Sequence, residues 1–162
     1  MAKAQPDVLV GIAEEEAARV LALGSRIGLS AGQVLFNLGD AAESLFLVER
    51  GRIALSLPMT IQGREQDVLI EERSPGQTLG WSALVPPHRF TLKAMAPVET
   101  EVLALPSAAL FDHFAAQPAV GYAVTRNLSA VVGQRLQVLQ TMWLREMQRM
   151  VEISGARPGA SP

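Results

Sequence analysis

Apolar positions along this chain fall into three regimes. In residues 8–23 they recur at helical spacing, with Val8, Leu9, Ile12, Ala13, Val20 and Leu23 forming a broken stripe, which predicts a helix. Gly11 weakens that helix and Gly24 stands where it can end. From Ile27 to Leu105 the apolar residues come in short runs: Val34–Phe36, Leu45–Val48, Ile53–Leu57, Val68–Ile70 and Val102–Leu105. Turn residues separate them, and Gly39, Gly51, Gly63 and Gly76 recur every 12 or 13 residues. Strands at such even spacing predict an all-β barrel or jelly roll. No helix-length periodic segment interrupts them, which argues against a parallel α/β fold.

After Leu105 the helical period returns. Ser107 can cap a short helix through Phe114, and Pro118 suits the first turn of a second helix running to about Ile153. The stripe of that helix is Leu128, Val132, Leu136, Leu139, Trp143, Met147 and Met150. Its steps of 4, 4, 3, 4, 4 and 3 make an eleven-residue repeat, the period of a nearly straight or slightly right-handed pairing. Val131, Val138, Met142, Leu144 and Val151 lie off that line, so the helix needs two surfaces to bury its apolar flanks. One can be the barrel. The other is expected to be the same helix of a second chain, because a helix of about 35 residues spans about 50 Å and outreaches a domain with a gyration radius of roughly 15 Å. Packing wholly on its own domain is the competing reading. The predicted organisation is one domain over residues 8–153, with a barrel at 27–105, helices at 107–153 and a disordered tail at 154–162.

One stretch invites chemistry. Gly76 to Thr91 lies between the strand-like runs Asp67–Glu72 and Phe90–Met95. Trp81–Leu84 can close one helical turn behind Gly80, and Pro86-Pro87 stop it. A short helix opening on glycine aims free N–H groups at one spot, an anion-binding geometry, and Arg89 follows as a possible counter-charge. The alternative is a plain strand–turn–strand connection with a solvated arginine.

Composition narrows the chemistry. Hydrophobic residues make up 49% and charged residues 19% of 162, with a net charge of −2, so the chain should fold and carries no overall basic footprint for nucleic acid. Cysteine is absent and only His88 and His113 are present. Thiol catalysis and disulfides are excluded, and a metal site is not expected. No catalytic residue emerges. Ser82 is not in a nucleophile elbow, and His113, Asp40 and Glu71-Glu72 read as ordinary surface or turn groups, as do Arg50 and Arg52. A signal peptide and a membrane span are not expected, so the chain reads as a non-enzymatic cytoplasmic protein without cofactor.

With barrel and long helix in place, the segment Val34-Leu-Phe-Asn-Leu-Gly-Asp-Ala-Ala-Glu-Ser-Leu-Phe-Leu-Val-Glu-Arg-Gly-Arg-Ile-Ala-Leu55 resembles the strand–Gly-Asp–strand–Gly-Arg pattern of cyclic-nucleotide-binding domains of the catabolite activator type. Pro75-Gly76, Glu101–Leu105 and Gln134-Arg-Leu-Gln-Val138 are similar too. The resemblance implies a mainly β fold, a jelly roll with a short N-terminal helix and a long C-terminal helix. It also implies a ligand phosphate on the short helix between two strands, and a last helix that caps the base and dimerises.

Mapped onto this chain, the implied phosphate cassette is Gly80, Trp81, Ser82, Ala83, His88, Arg89, Phe90 and Thr91, and the base-facing positions are Leu139 and Gln140. The cassette departs from the pattern. Trp81 stands where binders carry the glutamate that takes the ribose hydroxyl, and an indole has no acceptor. His88 holds the phosphate-arginine position with Arg89 one place later, and Phe90 replaces a small residue. Ordinary cyclic AMP binding is therefore not expected. The leading reading is a dimeric regulatory sensor for a cyclic nucleotide or other small anion. The alternative is a ligand-free interaction module, its pocket filled by Trp81 and Phe90, that recruits a partner chain. The chain ends nine residues after Ile153, so a helix-turn-helix and direct DNA reading are not expected.

Overall fold

The computed structural model describes residues 5–155. Eight antiparallel strands form two four-stranded sheets. They are β1 (Ser25–Leu29), β2 (Val34–Phe36), β3 (Ser44–Arg50), β4 (Ile53–Ile61), β5 (Arg64–Arg73), β6 (Thr78–Leu79), β7 (Lys93–Met95) and β8 (Thr100–Pro106). One sheet has the order β1-β8-β3-β6 and the other β2-β7-β4-β5. The helices are α1 (Glu14–Leu21), α2 (Ser107–Ala116) and α3 (Pro118–Gly155). The chain divides into two compact units after Ser129. The first holds both sheets, α1, α2 and the start of α3. The second holds the remainder of α3.

Strand periodicity explains how the first unit is layered. Successive side chains of a strand point to opposite faces, yet Leu45, Phe46, Leu47 and Val48 of β3 are all buried. Phe46 and Val48 join Leu29, Phe36, Ile53, Leu55, Leu79, Phe90, Ala94 and Val102 in the core between the sheets. Leu45 and Leu47 join Leu103 and Leu105 on the opposite face of the same sheet, under Val8, Leu9, Val20, Leu110, Val124 and Leu128. A continuous apolar run thus marks a strand covered on both sides. Burying each such Leu or Val contributes about 1.5–3 kcal/mol.

Several expectations need correction. The helix expected over residues 8–23 is two pieces, a 3-10 helix over Asp7–Leu9 and α1. Gly11 has φ +79°, a left-handed conformation that breaks a right-handed helix. Pro106, not Ser107, occupies the cap position of α2. The strand expected over Phe90–Met95 is confined to β7, because residues 88–90 instead join a loop across Gly39–Ala42. Strands β1 and β6 lie outside the apolar runs that mark strands in the sequence. Leu128 of the expected dimer stripe is 3% exposed and lies in the core of the first unit. Ser154 and Gly155 of the expected disordered tail are the last residues of α3, and the rest of that tail lies outside the described residues.

Candidate functional site

Strand β6 leads into Gly80, which has φ 79° and ψ 33°, and then into a 3-10 helix over Trp81–Ala83. Glycine is required here for two reasons. The left-handed backbone is strained for any other L-residue. A Cβ would also meet ring carbons of Phe46 and Phe90 at 3.2 Å each and the Ser44 carbonyl at 3.3 Å. Inside the helix the Ala83 amide donates to the Gly80 carbonyl at 3.0 Å and the Leu84 amide to that of Trp81 at 3.0 Å. The first amides, of Trp81 and Ser82, have no carbonyl behind them within the helix. Ser82 and Ala83 are buried.

The loop that follows is fastened to the β2–β3 connection. The amide of Gly39 donates to the Phe90 carbonyl at 2.8 Å, that of Phe90 to Asp40 at 3.0 Å, and that of Ala42 to His88 at 2.8 Å. This zipper sets the alternation of side chains. Phe90 points inward at 6% exposure, while Arg89 and Thr91 are exposed. The Arg89 guanidinium donates to the Gly39 carbonyl at 2.9 Å on the outside. His88 has φ 56°, and its Nδ1 lies 3.2 Å from the Ser82 carbonyl and 3.1 Å from that of Ala83. Carbonyls only accept, so Nδ1 carries the proton and the ring clamps the far end of the cassette helix.

The two aromatic residues expected to fill the pocket part company. Phe90 stacks on Phe36 with ring centroids 3.6 Å apart and planes at 11°, and Phe46 lies 5.7 Å from Phe36. Trp81 packs instead with the second core cluster, together with Leu84 and Phe114, and its buried indole Nε1 has no acceptor among the described residues. Trp81 therefore does not fill the barrel. Leu139 and Gln140 are exposed residues of α3 in the second unit.

Charged groups outside the cassette divide by face. Arg50 pairs with Glu99 at 3.1 Å and Arg52 with Glu72 at 3.5 Å on the surface. The Asp40 carboxylate accepts the Asn37 amide at 2.9 Å and stabilises its turn. Glu71 differs from its neighbour and from the turn role expected for it. Its side chain is 18% exposed and pairs at 3.3 Å with Arg73, which is 6% exposed. The Arg73 Nε–H has no acceptor among the described residues. No group of three histidine, aspartate or glutamate side chains able to hold a metal occurs among the described residues. None of their helices is long and apolar enough to cross a membrane.

Further contacts tie the N-terminal segment to β6, just before the cassette, and to the start of α3. The Asp7 carboxylate accepts the Thr78 amide at 3.1 Å and the Thr78 hydroxyl, and the Asp7 amide donates to the Gly76 carbonyl at 2.9 Å. Asn127 of α3 donates its side-chain amide to the carbonyls of Val8 at 3.0 Å and Val10 at 2.8 Å. Sequence patterning cannot find such links, since each joins residues more than 65 positions apart. A cavity of about 540 Å³ lies behind this segment, lined by Pro6, Ile12, Ala17, Leu21, Leu47 and Glu49 among others, and none of the cassette residues borders it.

Comparison with known proteins adds a family to this geometry. The family model for the cyclic nucleotide-binding domain matches residues 26–117. The Pycsar effector protein XpPycTIR of Xanthomonas perforans is 29% identical over 129 residues, which cover 79% of this chain and 39% of the effector. The chain thus spans about two fifths of the length of that curated relative. Among solved structures, the Thermus thermophilus catabolite activator protein is similar with a TM-score of 0.71 at 25% identity, over 88% of this chain and 63% of that one. The c-di-GMP-responsive global regulator CLP of Xanthomonas campestris has a TM-score of 0.72 at 15% identity, over 82% and 64%.

Proposed function

Because this chain belongs to the cyclic nucleotide-binding domain family, we propose that it is a non-enzymatic regulatory sensor whose barrel takes a small anionic ligand at the cassette helix. The observation that carries this reading is the retained cassette frame. Gly80 keeps its left-handed turn, and the amides of Trp81 and Ser82 open the helix beside the barrel interior. Backbone amides can hold a phosphate oxygen without side-chain charge. The names of the relatives support this class, since they describe a Pycsar effector protein and a catabolite activator protein.

Recognition differs from the pattern implied by the family resemblance. The guanidinium of Arg89 is outside and Phe90 occupies the inward position. Trp81 offers no acceptor for a ribose hydroxyl and faces the other core. Loss of one hydrogen bond to a charged group costs about 1.5–3 kcal/mol, or about ten- to a hundred-fold in affinity. Cyclic AMP is therefore expected to bind weakly or not at all.

The output is assigned to α3. Leu136, Leu139, Trp143, Met147 and Met150 of its stripe are 37–61% exposed, an apolar face suited to the same helix of a second chain. A ligand that favours one arrangement of the paired helices shifts the population toward it. Calorimetry of the purified chain with cyclic mononucleotides and cyclic dinucleotides tests the ligand half. Binding of at least one of them supports the sensor, and silence from all of them removes it.

The Phe36–Phe90 stack favours a second reading. If these rings stay packed, the barrel is scaffolding and α3 alone acts, as a dimeric interaction module. A Phe90→Ala variant that gains no ligand while light scattering still finds dimers would decide for that module.

A further inference from the structure

Cross-strand register places a buried ion pair on the inner face of the barrel, away from the cassette. Residues directly paired in an antiparallel sheet share a face. Phe36 pairs with Ala94, Ala94 with Leu55, and Leu55 with Glu71. Phe36, Ala94 and Leu55 belong to the core between the sheets, so Glu71 stands on that same inner face. Arg73 pairs with the fully buried Ile53 and follows Glu71 on that face. Glu72, between them, points outward to Arg52. One inner row thus has an aromatic end beside Gly80 and an ionic end on β5. Three inter-strand steps of about 4.8 Å separate Phe36 from Glu71, roughly 14 Å along the sheet.

We propose that Arg73 reads the end of the ligand remote from the cassette, its unmatched Nε–H donating to a hydrogen-bond acceptor on a nucleobase. The inference rests on the sensor reading above. Arg73 is 5% exposed and its Nε–H has no acceptor among the described residues. A buried donor without a partner is rare and disfavoured. Its charge is already balanced by Glu71 at 3.3 Å. A second anion at this point would face the Glu71 carboxylate, whereas a neutral ring carbonyl or ring nitrogen would gain the bond without that repulsion. The donor is sealed from solvent, so its acceptor must enter the barrel. Bases differ in where they carry acceptors, and a site that donates a fixed N–H discriminates among them.

The test uses the full chain and the four common 3′,5′-cyclic mononucleotides, titrated by calorimetry. The wild-type protein is expected to rank the bases, with at least about a ten-fold gap between best and worst. The double variant Arg73→Met with Glu71→Gln removes the donor and neutralises its paired carboxylate together. It should lose about ten-fold or more for the preferred base and flatten the ranking to within about three-fold. Arg73→Lys, which keeps the charge but not the planar fork, should flatten the ranking as well, and it decides the matter if the double variant fails to fold by circular dichroism. An equal loss for every base means a structural role and overturns the assignment of Arg73. So does an unchanged ranking, while the sensor reading survives both results. No binding of these four by the wild-type chain overturns the assignment of Arg73, and the sensor reading falls with it only if the cyclic dinucleotides are silent too.

Discussion

At the residue scale, function hangs on which way a few side chains point. The ladder between residues 39–42 and 88–90 turns Phe90 in and Arg89 out. Arg89→Ala is therefore expected to leave ligand affinity within about two-fold, since the side chain bonds only an outer carbonyl. Calorimetry on the variant checks this. Gly80→Ala should destabilise the fold by about 1–3 kcal/mol, because it combines a positive φ with contacts at 3.2 Å to two rings; urea denaturation reads the loss. Phe90→Ala removes half of the stacked pair and should cost about 3–5 kcal/mol in the same measurement. The helical turn behind Gly80 was legible in the sequence from glycine and proline spacing. The inward role of Phe90 and the diversion of Trp81 were not, because both depend on the neighbours packed against them.

At the element scale, pattern and structure agree wherever an apolar run is long. The runs at β3, β4 and β8 all became strands, and α3 follows its period from Pro118 onward. Short pieces such as β6, two residues long, leave no period to detect. The link from Asp7 to Thr78 and from Asn127 to Val8 and Val10 joins three elements that carry no shared sequence signal. Asn127→Ala deletes two such hydrogen bonds and should speed amide exchange in residues 8–12 with a stability loss of about 1–2 kcal/mol. Hydrogen-exchange mass spectrometry locates the effect, and protection unchanged in that segment would show that Asn127 does not hold it. On α3, the paired change Trp143→Asp and Met147→Asp places two charges on the exposed stripe. Light scattering is expected to find dimers of the unaltered protein and single chains of the variant.

At the scale of the whole molecule, hydrophobic period and turn spacing were sufficient for the class of fold. Strands at intervals of 12 or 13 residues, followed by one long helical stripe, admit few architectures, since each element must bury its apolar face somewhere. The eight strands, α1 and α3 realise one of them, and the family match over residues 26–117 falls on the same segment. Composition and motif also exclude thiol chemistry and a nucleophile elbow at Ser82, because cysteine is absent and Leu84 stands where the elbow needs its second glycine. Tertiary structure alone decided which charges lie inside the barrel. Glu71 and Glu72 are neighbours of identical chemistry, yet one is interior and the other solvated. A strand's two faces are equivalent until register, and the β-bulge between Leu55 and Ser56, assign one of them to the core.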